Sequence, residues 1–194
     1  MKKLILVITL LLIFSTFSYA QLGLGASAGM LHPGMGKSEV SQSQFDLGWG
    51  YEFFIRHNLV QISDSLMLKA RWSYRHYKTT IELPNVLEIW FKFNYLTIDV
   101  IVDLVRSEDF NLYSGLGGSL VSILAEKDFL DVNETEFVPE ILLGGEYNLS
   151  PYYTLFIESS FQYGSISDVD GQSIPMYGFR IVLGAAMFLK SEEE

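Results

Sequence analysis

The chain has 194 residues with 13 basic and 23 acidic side chains, a formal net charge of −10, and no cysteine. This negative balance argues against a nucleic-acid partner, and the lack of cysteine excludes both a disulfide framework and a lipid-modified N-terminal cysteine. Yet hydrophobic residues make up 49% of the chain, and the mean hydropathy is positive at +0.24.

The first 20 residues have the pattern of a secretory signal peptide. Lys2 and Lys3 precede an apolar run over 4–17, and Ala20 closes a small-x-small cleavage site before Gln21. The run is too short to span a membrane comfortably, so cleavage is favoured over the alternative of an uncleaved anchor. No later stretch approaches the roughly 18 consecutive apolar residues of a transmembrane helix. An exported, hydrophobic chain of this kind indicates a β-barrel.

Eight segments that alternate between apolar and polar or small residues follow in chain order. In the second, every odd position from Phe45 to Phe53 is apolar or aromatic, which is the period of a strand with two different faces. The sequence therefore predicts an all-β, eight-stranded antiparallel up-and-down barrel over 21–190, followed by a charged tail over 191–194. The predicted strands are 22–31, 44–57, 66–75, 96–104, 112–124, 140–147, 153–163 and 177–189.

One face of these strands carries nearly all of their charge. A Lys or Arg that faces lipid near the bilayer centre costs about 2–4 kcal/mol, so in a membrane this face must point into the barrel. Acidic residues outnumber basic ones in the set, which predicts protonated carboxylates, bound water or a cation inside. The predicted interior polar residues are Asp46, Glu52, Lys69, Arg71, Arg75, Asp99, Asp103, Glu140, Glu146, Glu158 and Arg180.

The opposite face is rich in aromatic residues, which an eight-stranded barrel is too narrow to enclose together. Glycines on the polar face would weaken a water-exposed strand but make room inside a narrow barrel. These features favour a transmembrane barrel over a soluble, lipocalin-like binder of apolar ligands. The aromatic residues predicted to face lipid are Trp49, Tyr51, Phe53, Trp72, Tyr74, Phe161, Tyr163, Tyr177 and Phe179.

Three short stretches carry a resemblance to a family. They are Asn-Tyr-Leu-Thr-Ile at 94–98, Phe-Asn-Leu-Tyr-Ser-Gly-Leu-Gly at 110–117 and Ile-Val-Leu-Gly-Ala-Ala-Met-Phe-Leu at 181–189. Together they resemble the PorT-like family of small bacterial outer-membrane β-barrels, some members of which are linked to protein secretion. The last stretch is similar to the insertion signal read by the barrel-assembly machinery. The chain departs from the family at Asp99, where proline is frequent, and in ending at Glu194 rather than at an aromatic residue.

Catalytic, metal-binding and cofactor-binding patterns are weak. His32, His57 and His76 are the three histidines, and none has the His-x-Ser spacing of the barrel deacylases. We therefore expect a non-catalytic barrel without cofactor, in contact with outer-membrane lipid, with the barrel-assembly machinery during insertion, and with protein partners in the envelope or in secretion. A lipid-modifying barrel enzyme is the alternative within the membrane.

Overall fold

Eight antiparallel strands form one closed barrel in which each strand pairs with its neighbours in sequence and β8 pairs with β1. The computed structural model describes residues 22–32, 46–63, 66–83, 86–125, 134–169 and 172–189. The predicted signal peptide and the charged tail lie outside these ranges. The strands are β1 (Leu22–His32), β2 (Gly48–Ser63), β3 (Leu66–Leu83), β4 (Val86–Arg106), β5 (Phe110–Ala125), β6 (Glu134–Ser150), β7 (Tyr153–Val169) and β8 (Gln172–Leu189).

The predicted all-β, up-and-down barrel is thus confirmed, but most strands are longer than predicted. β4 begins at Val86 rather than at 96, and β6 begins at Glu134 rather than at 140. The added residues lie mainly at one end of the barrel, where outward positions such as Lys78 and Lys92 are polar. There the alternation is reversed, with Phe91, Phe93 and Tyr95 pointing inward and Lys92 and Asn94 outward, so the rule that polar side chains face the lumen does not identify these strand ends. Within the described ranges, the chain forms no helix long and apolar enough to cross a membrane.

The register of the strands shows how steeply they tilt. Pairing that starts at Leu22 of β1 leads once around the barrel and returns to His32, ten positions further along the same strand. A stagger of this size requires strands that are tilted to the barrel axis, and eight such strands enclose a space just wide enough for side chains. The interior is therefore a packed core rather than an open channel.

The two ends of the barrel differ. At one end, which we call the turn end, β2 joins β3, β4 joins β5 and β6 joins β7 through two or three residues, as in the turn at Ser107. There the Ser107 backbone N–H donates to the Phe110 carbonyl oxygen at 2.9 Å. At the opposite end, the loop end, β1 joins β2 through residues 33–47 and β5 joins β6 through residues 126–133. Outer-membrane barrels place short turns in the periplasm and longer loops outside.

Candidate functional site in the barrel interior

Charged side chains fill the middle of the barrel, on the inward faces of six of its strands. Strand alternation places them there, because most of their outward neighbours along each strand are apolar. The buried members of the predicted interior set are Glu52, Lys69, Arg71, Arg75, Asp99, Asp103, Glu140, Glu146, Glu158 and Arg180.

Asp46 is the exception, and its predicted interior position is wrong. It is exposed and lies two residues before the start of β2. Its backbone N–H donates to the Thr80 carbonyl oxygen at 2.9 Å, and its Oδ2 accepts a hydrogen bond from Thr80 Oγ1 at 2.9 Å. Its even-numbered position continues the polar face in sequence, but the strand begins too late to include it.

Arg71 of β3 connects two carboxylates on other walls of the barrel. Its Nε donates to Asp99 Oδ2 of β4 at 2.9 Å. Its Nη1 and Nη2 donate to Glu158 Oε2 and Oε1 of β7, at 2.6 and 3.0 Å. Since β3 and β7 lie on opposite sides of an eight-stranded barrel, this two-point pair crosses the full width of the lumen.

Arg75, four residues after Arg71 on β3, makes a second contact across the lumen. Its Nη1 and Nη2 lie 2.6 and 2.8 Å from the two carboxylate oxygens of Glu140 on β6. Its Nε donates to Glu52 Oε1 at 3.2 Å, and its Nη2 reaches Asp99 Oδ2 at 3.3 Å. Gln162 also donates to Glu140 Oε2, at 2.9 Å.

Arg180 of β8 closes the set into one connected group. Its Nη1 donates to Glu52 Oε2 at 2.6 Å, its Nη2 pairs with Glu158 Oε1, and its Nε donates to Ser160 Oγ at 2.9 Å. We call this group the central network. It consists of Glu52, Arg71, Arg75, Asp99, Glu140, Glu158 and Arg180.

A second ionic group, the turn-end cluster, lies closer to the turn end of the barrel. Lys69 Nζ is 2.7 Å from Asp103 Oδ1 and 3.5 Å from Glu146 Oε2, and Arg56 Nη1 pairs with Glu146 Oε1. The prediction did not include Arg56, although it follows Glu52 and Phe54 at the next inward positions of β2. With Arg56 inside and Asp46 outside, the buried charges among the described residues are six carboxylates and five cations, a smaller acidic excess than expected.

Aromatic residues occupy much of the remaining lumen, where the sequence predicted mainly polar packing. Phe54 and Phe156 meet edge to face at 5.5 Å between ring centroids and belong to one buried cluster with Phe188. On the loop side of the central network, the Tyr77 and Tyr95 rings are 6.2 Å apart and almost perpendicular. Both tyrosines are at most 1% exposed.

Inward glycines make the room for these rings. A Cβ atom at Gly144 would lie 2.3 Å from Cζ of Tyr113, and one at Gly25 would lie 2.2 Å from Cζ of Phe54. The expectation that interior glycines accommodate charges holds at Gly117, where a Cβ would lie 2.0 Å from Asp99 Oδ1. Gly23 and Gly184 lie against the rings of Phe188 and Phe156 in the same way, so glycine and a large ring pair across adjacent strands at several inward positions.

The outward face is apolar, and its predicted aromatic residues are where the sequence placed them, as far as they are described. Trp72 and Phe179 are partly covered by neighbours, and the Tyr177 side chain lies outside the described residues. At the turn end, Phe110 and Tyr147 are register partners on the outer wall. The members of the predicted aromatic set that are exposed are Trp49, Tyr51, Phe53, Tyr74, Phe161 and Tyr163.

The three histidines do not meet. His57 pairs with Leu22 at one end of β1, whereas His32 lies at the other end of that strand, opposite Phe179. His76 lies on β3, where its Nδ1 is 2.8 Å from Asn94 Oδ1. Among the described residues, no group of three His, Asp or Glu side chains is arranged to hold a metal ion.

A cavity of about 740 Å³ opens at the turn end. Lys69, Asp103 and Glu146 of the turn-end cluster line it, together with Asn111 and Thr154. The described residues that line it include the ring of Phe188 but no member of the central network, so the cavity does not reach through the barrel.

Known structures with this architecture are small bacterial outer-membrane barrels. Neisserial surface protein A (NspA) is 16% identical with a TM-score of 0.55, over 87% of this chain and 96% of that one. A major outer membrane protein from Thermus thermophilus is 13% identical with a TM-score of 0.54, over 88% of this chain and 99% of that one. OprG from Pseudomonas aeruginosa is 9% identical with a TM-score of 0.52, over 90% and 97%.

At these identities the likeness concerns the fold alone. No protein-family model matches the chain, and no curated protein sequence does. The fold and the placement of polar side chains indicate the same cellular location, an outer membrane. Apolar residues cover the outer wall of the barrel, and the charged side chains are enclosed. The chain is an integral β-barrel of the bacterial outer membrane, with lipid around its wall.

Proposed function

We propose that this protein is a non-catalytic component of the cell envelope that presents its loops as an interaction surface while its barrel serves as a sealed membrane anchor. The central network is the observation that carries this proposal. Its ion pairs join opposite walls, and Glu52, Arg75 and Asp99 are each 0% exposed. A barrel closed in this way offers no path for a solute.

The aromatic layer supports the same conclusion. Tyr77 and Phe93 are each 0% exposed and lie on the loop side of the central network. A solute that entered from the outside would meet these rings before it reached the ion pairs. Two different kinds of packing therefore close the lumen in series.

Planar bilayer recordings with the purified protein test the sealed barrel. We expect no channel steps above those of protein-free membranes, and an eight-stranded barrel with an engineered open lumen would serve as the positive control. Stable, voltage-independent steps in the native protein would contradict the proposal and point to a pore.

The proposed absence of catalysis rests on the positions of the histidines. A hydrolase at the membrane boundary needs a histidine close to its nucleophile and to a carboxylate. His32 of β1 and His57 of β2 lie at opposite ends of the β1–β2 pair, and His76 of β3 lies within hydrogen-bond distance of Asn94. Replacement of all three histidines by alanine should leave the lipid A composition of the membrane unchanged. A changed composition would favour the lipid-modifying alternative.

Interaction through the loops is the function that remains for a sealed barrel. The resemblance to the PorT-like family adds a more specific proposal, which is a role beside a secretion assembly. The last strand would bind the barrel-assembly machinery during insertion, as its similarity to the insertion signal implies.

Photo-crosslinking in intact envelopes tests this role. A photoreactive residue placed in segment 33–45 should give specific adducts with one or a few envelope proteins. The same residue at exposed Leu183, on the outer wall of β8, is the matched control and should give adducts with lipid only. If both positions give the same protein adducts, or neither gives any, the loops are not the interaction surface.

A further inference from the structure

Three buried polar atoms that line the cavity at the turn end have no hydrogen-bond partner within the part of the chain that the structure describes. They are Oδ2 of Asp103, Oδ1 of Asn111 and Oγ1 of Thr154. The three residues are only 1%, 8% and 4% exposed. Because an unpaired polar atom is unfavourable once it is buried, each of the three favours a ligand that completes its hydrogen bonding.

The three atoms come from neighbouring walls of the barrel. Asp103 lies near the end of β4, Asn111 near the start of β5 and Thr154 near the start of β7. On β6 between them, Glu146 is the register partner of Asn111, and Asn148 is the register partner of Thr154. Strands β4 to β7 are adjacent in the sheet, so the three atoms surround one side of the same cavity.

The chemistry of these atoms selects a ligand that donates hydrogen bonds. A carboxylate oxygen and an amide oxygen can only accept, whereas a hydroxyl can do either. Lys69 is the nearby cation of the turn-end cluster, with Nζ 2.7 Å from Asp103 Oδ1 and 3.5 Å from Glu146 Oε2. It makes no hydrogen bond to Asn111 Oδ1 or Thr154 Oγ1. An alkylammonium group carries three N–H donors, one for each of the three atoms.

The charge of the lining favours a cation. Among the described residues that line the cavity, carboxylates outnumber cations by four to two. The carboxylates are those of Asp103, Glu108, Asp109 and Glu146, and the cations are Lys69 and Arg106. Even with Arg56, which pairs with Glu146, the balance stays negative. A cleft lined by charge of one sign raises the local concentration of ions of the other sign.

The size and the apolar part of the lining favour an organic cation over a metal ion. The cavity of about 740 Å³ lies within the range of roughly 300–1,000 Å³ that is typical of small-molecule pockets. Met67, Leu149, Pro151 and Phe188 add apolar surface on which a hydrocarbon chain can pack. The ammonium group of Lys69 also repels a divalent metal ion twice as strongly as a singly charged ammonium at the same distance.

We propose that the turn-end cavity binds a small organic diamine in its diammonium form. The inner ammonium group donates to Asp103 Oδ2, Asn111 Oδ1 and Thr154 Oγ1, and the methylene chain packs on the apolar lining. The outer ammonium group lies near Glu108 and Asp109, which are exposed between β4 and β5. Asp109 and Asn111 are two residues apart, so their Cα atoms are separated by at most about 7 Å. A chain of four methylene groups covers this distance.

Isothermal titration calorimetry of the purified protein in a zwitterionic detergent tests this site. The probes are 1,4-diaminobutane, 1-aminobutane, 1,4-butanediol and calcium chloride. The native protein should bind one diamine, bind the monoamine more weakly and not bind the uncharged diol. Thr154→Val keeps the shape of the side chain but removes one acceptor. It should weaken diamine binding at least about tenfold, since hydrogen bonds to charged groups are among the stronger ones.

Two further variants make the result specific. Asp103→Asn removes the charge at the inner end and should also weaken diamine binding at least about tenfold. Thr97→Val is the matched control, because Thr97 Oγ1 already lies 2.7 Å from Ser119 Oγ and Thr97 is not among the residues that line the cavity. It should bind the diamine like the native protein. Heat-modifiable gel migration shows that each variant is folded.

Several outcomes would overturn the site or its assignment. Absence of diamine binding, or native affinity in the folded Thr154→Val or Asp103→Asn variant, would overturn the site. Equal affinity for the diamine and the monoamine would overturn the position of the second ammonium group. Displacement of the diamine by an equal concentration of calcium would assign the cavity to a metal ion and contradict the proposal.

Discussion

Arg71 and Glu158 form a two-point ion pair across the whole lumen, with Nη1 2.6 Å from Oε2 and Nη2 3.0 Å from Oε1. They are 87 positions apart in sequence and belong to β3 and β7, which lie on opposite walls. The pair is fully enclosed, and Tyr113 Oη donates to Glu158 Oε2 at 3.0 Å. One contact therefore links the two halves of the barrel.

Arg71→Leu should destabilise the barrel strongly. The change leaves the buried Asp99 and Glu158 with fewer cationic partners. Loss of one partner of a buried pair costs about 3–5 kcal/mol. The free energy of unfolding, measured by urea titration in lipid vesicles with tryptophan fluorescence, should fall by about this amount. Arg106→Leu, which removes an exposed arginine, should change it by less than about 1 kcal/mol.

The same variant should respond to pH in a particular direction. The central network contains four carboxylates and three arginines, so loss of Arg71 raises its excess negative charge from one to two, and protonation of a carboxylate lowers this excess. The stability difference between Arg71→Leu and the native protein should therefore become smaller as the pH is lowered. A difference that stays constant between neutral and acidic pH would contradict the pairing.

Gly144→Val tests the pairing of glycine with a large ring inside the barrel. The added side chain would enter the space of the Tyr113 ring, since a Cβ at this position lies 2.3 Å from its Cζ. Overpacking of this kind typically costs about 1–3 kcal/mol. Displacement of Tyr113 would also weaken its hydrogen bond to Glu158, so we expect a loss at the upper end of this range.

The adjacent Gly145 provides the control for this change. A Cβ there lies 3.2 Å from the ring of Phe110, which is exposed and free to shift. Gly145→Val should be nearly neutral in the same urea titration. Equal losses for the two valine variants would mean that the effect comes from the glycine backbone and not from the space that the ring fills.

The barrel and its charged interior could be predicted because both depend on one strong physical constraint. Charge cannot face lipid, so alternation along each strand fixes which side chains point inward, and Arg71, Arg75 and Arg180 were found in this way. The same rule does not identify apolar interior residues. A ring such as Tyr77 can face lipid or the lumen, and the decisive fact is that Gly50 lies opposite on the next strand.

Two errors on and beside β2 have related causes. Asp46 continues the polar face in sequence, but the strand begins at Gly48. Arg56 follows the inward Phe54, an aromatic residue that interrupts the polar pattern and hides the inward face beyond it. Strand bounds and pairing register, which require the neighbouring strands, were needed to place both residues.

Lys69→Met should destabilise the turn-end cluster by leaving Asp103 and Glu146 near a single cation, Arg56. Lys69 Nζ lies 2.7 Å from Asp103 Oδ1, so the loss should be on the order of 3 kcal/mol. Asp103→Asn in the same chain removes the unpaired charge and should restore part of the stability. A double variant that is less stable than Lys69→Met alone would show that the two residues do not act as a pair.

The three tryptophans report the position of the barrel in the bilayer. Trp72 is the register partner of Ile55 and Ile98, which are exposed on the apolar outer wall. Trp49 is the register partner of Lys78, nearer the loop end, and Trp90 lies two positions from Lys92 toward that end. In vesicles of lipid brominated near the end of the acyl chain, single-tryptophan variants should therefore be quenched in the order Trp72, Trp49, Trp90, since bromine quenches only at short range. The remaining tryptophans are replaced by phenylalanine, and each variant is checked for heat-modifiable migration. Strongest quenching of Trp90 would place the loop end in the hydrocarbon region and would contradict this placement of the barrel in the membrane.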